Sequence, residues 1–302
     1  MSAASNTSRR RGGFSLIELT TTIAMTGILA VGLANLLQHP MNGYAAVSRR
    51  SELVALGDLA IGRLIRDLES ALPNSVRVSA SGAAIEMLTA SGGGRYRASP
   101  GINDPGGPGE EDHRAAADWL AFGGDASFNL LGRMQDFPVS HGSTLPAGTR
   151  LAIYPTGASV WTDAALNRNP SAITPATSTI TYVNDGDEDQ FQLSADHTFS
   201  LESPMFRVYL VDSPVTYLCD APGRALWRID RYAISRTQPT SRATTPLLAG
   251  SNARAADLIE SCDFTYTPGT GSRAGLVTIE LVLETGDERV RLLQQVQVQN
   301  AP

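Results

Sequence analysis

Few residues in this sequence are spaced for chemistry. The densest acidic run is Asn184-Asp185-Gly186-Asp187-Glu188-Asp189. Alternate carboxylate oxygens around a glycine turn can chelate calcium, so Asp185, Asp187 and Asp189 form a calcium candidate. The spacing is not that of an EF-hand loop, and the closing bidentate acid is missing, so a solvated hairpin tip is the expected state. Glu110-Glu111-Asp112-His113 with Asp118 reads as a solvated polar loop before it reads as a metal cluster. His39, His141 and His197 stand without acids or thiols nearby in sequence. No nucleophile elbow, phosphate loop or metalloprotease helix is present, and Gly92-Gly93-Gly94 lacks the lysine of a phosphate loop. Neither a catalytic residue nor a cofactor is expected, so the chain does not read as an enzyme. Cys219 and Cys262 are the only cysteines. Two cysteines cannot make a zinc site alone. In an oxidising compartment they would form one disulfide; otherwise they are two partly buried thiols.

Glu18 is the acid whose position asks most of the fold. The first thirteen residues are polar and end Arg9-Arg10-Arg11-Gly12-Gly13. Residues 14 to 37 are then apolar apart from small hydroxyls, Asn35 and Glu18. Twenty-four helical residues reach about 36 Å, enough to cross a hydrocarbon core of roughly 30 Å. The arginines before the span would keep the leader cytoplasmic and export the rest. An ionised carboxylate inside such a span costs about 2.5–3.5 kcal/mol on insertion scales, so a partner or a function is expected for it. A secretory signal peptide would have a shorter apolar region ending at a small-residue cleavage site. A plain anchor leaves Glu18 unexplained.

Arg-Gly-Gly-Phe-Ser-Leu-Ile-Glu-Leu-Thr, residues 11 to 20, resembles the leader motif of type IV prepilins and pseudopilins. The resemblance implies cleavage by a membrane prepilin peptidase between Gly13 and Phe14, and N-methylation of Phe14. It also implies that Glu18 pairs with the free amine of a neighbouring subunit and sets register during assembly. Shorter pieces lie further on: Ala71 to Val78, Trp119 to Phe122, Phe128 to Gly132, Pro214 to Asp220, Leu226 to Arg228, and Tyr232. Together these look like the MshO group of minor pilins, which belongs to the mannose-sensitive haemagglutinin (MSHA) pilus system. J-type minor pseudopilins of type II secretion and PilW-like minor pilins are the alternatives. The partners implied are the prepilin peptidase, other major and minor pilins, and the inner-membrane assembly platform. The localisation implied is a single-pass inner-membrane protein with its amino terminus cytoplasmic and its head periplasmic, passing then to a pilus at the cell surface.

The elements that must position these residues follow from periodicity. After Pro40, Leu53, Leu56, Ala60, Leu64 and Leu68 recur at helical spacing, widened by Gly57, Ile61 and Ile65. Pro73 stops the helix, and Pro40 with Gly43 is expected to kink it. Beyond residue 74, short β-branched and aromatic runs alternate with Gly, Pro, Ser and Asn clusters. The expected strands are Ala83–Leu88, Trp119–Phe122, Leu151–Tyr154, Thr179–Val183, Phe206–Val211, Val215–Leu218, Ala225–Ile229, and a hairpin of Leu276–Glu284 and Arg289–Gln297 across Gly286-Asp287. Surface loops are expected at 91–111, 167–178 and 237–252. The fold class this predicts is α+β: a long amino-terminal helix carrying an antiparallel β-sheet head. The expected divisions are a leader at 1–13, an anchor helix at 14–38, its amphipathic continuation at 39–72 and the head at 73–302. With 302 residues and a net charge of -6, the chain offers a sizeable core but no clustered basic face for nucleic acid.

Overall fold

The computed structural model describes residues 13–98, 119–134, 140–185, 188–269 and 273–298. The chain divides into two compact units, residues 1–52 and 53–302, with the boundary inside helix α1 (Leu16–Glu69). In the first unit the backbone stays helical through Pro40 and Gly43. A proline inside a helix lacks one backbone donor, yet the helical run is not interrupted there.

The second unit builds its strands in the order β1 (Arg77–Val78), β2 (Ala84–Arg95), β3 (Asp125–Asn129), β4 (Ser143–Thr144) and β5 (Arg150–Ala152). Helix α2 (Ser159–Leu166) precedes β6 (Ile180–Asp185), β7 (Glu188–His197), β8 (Arg207–Asp220) and β9 (Ala225–Asp230). A short 3-10 turn at Leu247–Ala249 leads to β10 (Ser251–Asp257), β11 (Ile259–Thr267), β12 (Gly275–Thr285) and β13 (Glu288–Val298). One sheet runs β1-β2-β8-β9-β10, with β5 also paired to β8; a second runs β11-β12-β13 and a third β3-β7-β6-β4. Every named strand pair is antiparallel.

This architecture corrects the expected α+β class. The chain is mainly β, with its strands in three antiparallel sheets rather than one sheet on a long helix. Six strands were missed: β1 and β4 are only two residues long, and β3, β7, β10 and β11 carry many polar residues and bury only some positions, so their apolar signal is thin. The runs expected as two strands at 206–211 and 215–218 are one long strand, β8. The expected loop at 91–111 is partly strand, since β2 continues to Arg95 and Tyr96 is fully buried. Its remainder from 99 onward lies outside the described residues. Trp119–Phe122 is a turn, not a strand. There the Asp125 carboxylate accepts the Ala121 N–H at 2.8 Å and the Ser127 N–H at 3.1 Å, and Gly124 takes a φ of +119°, so side-chain bonds replace a ladder.

Burial of apolar side chains holds this unit together. Leu53, Ala60, Ile61, Leu64 and Leu68 of α1 share one core with Val277, Ile279, Leu281 and Leu283 of β12 and with Val215 and Tyr217 of β8. Gly57 lets β13 approach: a Cβ there would sit 2.2 Å from Leu292 Cδ1. The β12–β13 hairpin turns at Gly286, whose φ of +57° suits glycine. A second core gathers Phe128, Phe191 and Phe199 with Val208 and Leu210 of β8. A third packs Trp161 of α2 on Leu72, Leu88 and Val211.

Candidate functional site

The junction at Gly13 and Phe14 lies one residue before the cap of α1. Ser15 Oγ accepts the Glu18 N–H at 3.2 Å, and the Ser15 carbonyl accepts the Leu19 N–H at 3.1 Å. Ser15 is therefore the N-cap, and Ser15-Leu16-Ile17-Glu18 has the spacing of a capping box. Glu18 sits in the first turn, where the unpaired N–H groups of the helix favour an acid. The sequence reading missed this local reason for an acid at position 18. The carboxylate itself is exposed and has no ion-pair or hydrogen-bond partner among the described residues. Phe14 is 81% exposed, and nothing lies within 4 Å of a Cβ added at Gly13.

The hydroxyls that follow are satisfied by the helix itself. Thr21 and Thr22 donate at 2.9 Å to the carbonyls four residues back, and Thr26 donates to Thr22 O at 2.6 Å. Back-bonded threonines carry no unpaired donor, so an apolar medium accepts them. Leu16–Leu33 is the one described helix segment long and apolar enough to cross a membrane, and none of it is buried within the protein. A membrane anchor and a signal sequence both meet that description.

The last two acids of the run, Glu188 and Asp189, are not solvated. Asp189 is fully buried at the start of β7, and Glu188 beside it is nearly so. Asp189 accepts the Met134 N–H at 2.6 Å, the hydroxyl of Tyr182, and His141 Nε2 at 2.8 Å. The His141 ring stacks on Tyr182 at 4.7 Å. Burial pushes the Asp189 carboxyl up, but the bonds from Tyr182, Met134 and His141 outweigh it and hold the group below the usual carboxylate range. Glu188 pairs with Arg97 and accepts from Asn129. These oxygens are engaged, so Asp189 is not free to hold calcium. Asp187 lies outside the described residues, and of Asp185 only the backbone is described. The run at Glu110–His113, with Asp118, also lies outside them, and no group of three metal-ligating side chains occurs among the described residues. His141 had an acid partner that sequence distance concealed.

Cys219 of β8 and Cys262 of β11 form a disulfide, which resolves the choice between bridge and thiols. Two further networks left no sequence signal. Fully buried Glu86 meets Arg77 Nε at 2.7 Å and the Tyr232 hydroxyl at 2.8 Å. Burial raises its pKa, against the pull of Arg77. Asp67 of α1 accepts from Tyr217 and from Arg228, each at 2.7 Å.

Most of the short pieces that resembled minor pilins are core. Leu72, Phe128, Leu130, Val215, Tyr217 and Leu226 are all buried, so packing alone calls for such residues. Comparison with known proteins gives no match: no family model, no curated protein and no solved structure is similar to this chain.

Proposed function

We propose that the chain is the precursor of a pilin-like structural subunit, cut between Gly13 and Phe14 and assembled into a filament through its first helix. The observation that supports this most is the junction itself: a basic leader, two glycines, Phe14, and an acid in the first turn of an exposed apolar helix. Cleavage after Gly13 would free the amine of Phe14, which is cationic at neutral pH. In the bilayer that amine and the carboxylate of Glu18 on a neighbouring subunit would each supply the partner the other lacks. Methylation of the amine keeps its charge. The apolar helices would then pack with one another in place of lipid.

The Cys219–Cys262 disulfide supports a second unit that resides outside the cytosol. The arginines before Gly13 support an amino terminus that stays inside. On this reading the partners are a prepilin peptidase, other pilins and an inner-membrane assembly platform, and the subunit ends in a surface pilus. A minor-pilin role of the MSHA type rests on the head pieces and is the finer part of the proposal.

Replacement of Gly13 by a bulky residue should leave an uncut precursor, read as a mass about thirteen residues heavier on a gel or by mass spectrometry; mature-length protein from that variant would sink the cleavage step. Glu18→Ala should be cut normally yet be scarce in sheared filaments. Wild-type incorporation of this variant would remove the pairing step and leave Glu18 its capping role alone.

A further inference from the structure

Strand β8 changes partner along one edge. Its β2 side is paired along most of its length, while the other side pairs with β5 as far as Val211 and with β9 only from Thr216. Residues 212 to 215 have no strand neighbour on that edge among the described residues. Pro214 lies in this stretch, where a missing N–H leaves no bond unmade on the open side. The gap opens into a cleft of about 1000 Å³, at the upper end of the range for small-molecule sites.

The cleft holds charge that the fold does not neutralise. Arg150, at the start of β5, is only 6% exposed. Its Nη1 donates to Ala164 O at 2.8 Å, a carbonyl in the last turn of α2. Its Nε is buried without a hydrogen-bond partner, and no carboxylate pairs with it among the described residues. Burial lowers its pKa to about 10. Arg231, just past β9, lines the same cleft, is exposed, and has no ion pair among the described residues. Arg228 also borders the cleft, but Asp67 and Asp230 occupy it. A buried cation left unpaired is costly, and an anion that reaches it recovers much of that cost.

The rest of the lining narrows the anion. Asp212, an exposed residue lining the cleft, accepts the Ser91 hydroxyl at 2.9 Å through Oδ1, and its other oxygen has no bond among the described residues. Thr149 and Ser213 add hydroxyl groups. A dianion such as phosphate would bring surplus negative charge toward Asp212. A plain fatty acid would leave Asp212, Thr149 and Ser213 unmatched. A planar carboxylate fits the fork of a guanidinium, and ligand hydroxyls would donate to Asp212.

We propose that this cleft binds a sugar acid, a hydroxylated monocarboxylate, with its carboxylate on Arg150 and Arg231 and its hydroxyls on Asp212 and the neighbouring Ser and Thr.

The test is calorimetric titration of glucuronate, glucose, butyrate and inorganic phosphate into the detergent-solubilised full chain. Glucuronate should give saturable heat, with each of the other three at least about tenfold weaker, the cost of losing one charge-assisted contact or its hydroxyl partners. Arg150→Gln should weaken glucuronate by a similar factor or more. Because Arg150 also holds the end of α2, Arg231→Ser at the exposed rim is the second variant. It should weaken glucuronate about tenfold while the near-ultraviolet signal of Trp161 stays unchanged. Absence of saturable heat overturns the proposal. So does phosphate or butyrate binding as tightly as glucuronate, or glucuronate binding that Arg231→Ser leaves untouched.

Discussion

At the scale of single residues, this protein keeps many polar groups inside by giving them partners; Arg150 Nε is one buried atom left without a partner among the described residues, and His197 holds another. Its side chain is fully buried on β7. Nε2 lies 3.2 Å from Ser171 O, so that nitrogen carries the proton and donates. Nδ1 is buried and has no partner among the described residues. A second proton would have to sit on Nδ1 with no acceptor to receive it, and burial accordingly lowers the pKa below 6.5. As pH falls below about 6.5 the unfolded chain takes up a proton that the folded chain refuses. The stability that neutral His197 contributes is therefore complete above that pH and is lost as pH falls toward its folded value. The loss has a limiting slope of about 1.4 kcal/mol per pH unit. Urea unfolding of the wild type and of His197→Gln at about pH 5 and about pH 7.5 checks this. The variant should show the shallower pH dependence; equal slopes would contradict the neutral, unpartnered ring. None of this was legible in the sequence, where His197 stands among the polar residues Ser194, Asp196 and Thr198, with nothing to mark it as interior.

At the scale of elements, the disulfide joins two sheets that no backbone ladder connects. Cys219 lies on β8 of the first sheet and Cys262 on β11 of the three-stranded one, 43 residues apart. Closing a loop of that length stabilises by about 4 kcal/mol in the chain-entropy model. The double variant Cys219→Ala/Cys262→Ala should lose stability of about that size, measured by urea unfolding extrapolated to water, with a slope equal to or steeper than the wild type's because the freed unfolded chain exposes more surface. A loss well below about 1 kcal/mol would contradict a cross-link that restrains the unfolded chain. Which elements could be read in advance follows from how their apolar residues are arranged. The β12–β13 hairpin was legible because Val290, Leu292, Val296 and Val298 keep one parity, and those positions are the inward ones. The stripe from Leu53 to Leu68 was legible for the same reason at helical period. β7 was not, because it opens with Glu188 and Asp189, two acids that face inward only because Arg97, Tyr182 and His141 await them from distant parts of the chain. The three-sheet arrangement was not legible either. Strand parity tells which face is buried and is silent on which sheet does the burying.

At the scale of the whole molecule, the described residues of the first unit present many exposed apolar side chains. Leu16, Ile17, Ile23, Met25, Ile28 and Leu29 are all exposed by more than half. A stretch of that size marks a segment suited to a bilayer, to a partner helix or to removal as a signal sequence. The charge-to-apolar switch at Gly13-Phe14 and the lone acid at Glu18 are sequence facts. What becomes of the helix is not one. The two fates differ in the amino terminus of the finished chain. A signal peptidase cut at the small residues Ala45-Ala46 would discard α1 as far as that point and release a soluble product. A prepilin-type cut would leave Phe14 as the first residue and keep the whole helix in the membrane. The full chain expressed in a host with a prepilin peptidase should therefore sediment with membranes through an alkaline carbonate wash, and sequencing should begin at Phe14-Ser15-Leu16. In a host without that peptidase the chain should, on the filament reading, stay in the membrane at precursor mass, since Leu16–Leu33 would anchor it with or without the cut. Soluble protein beginning near Ala46 in either host would make the helix a signal sequence, and the filament reading would fall with it.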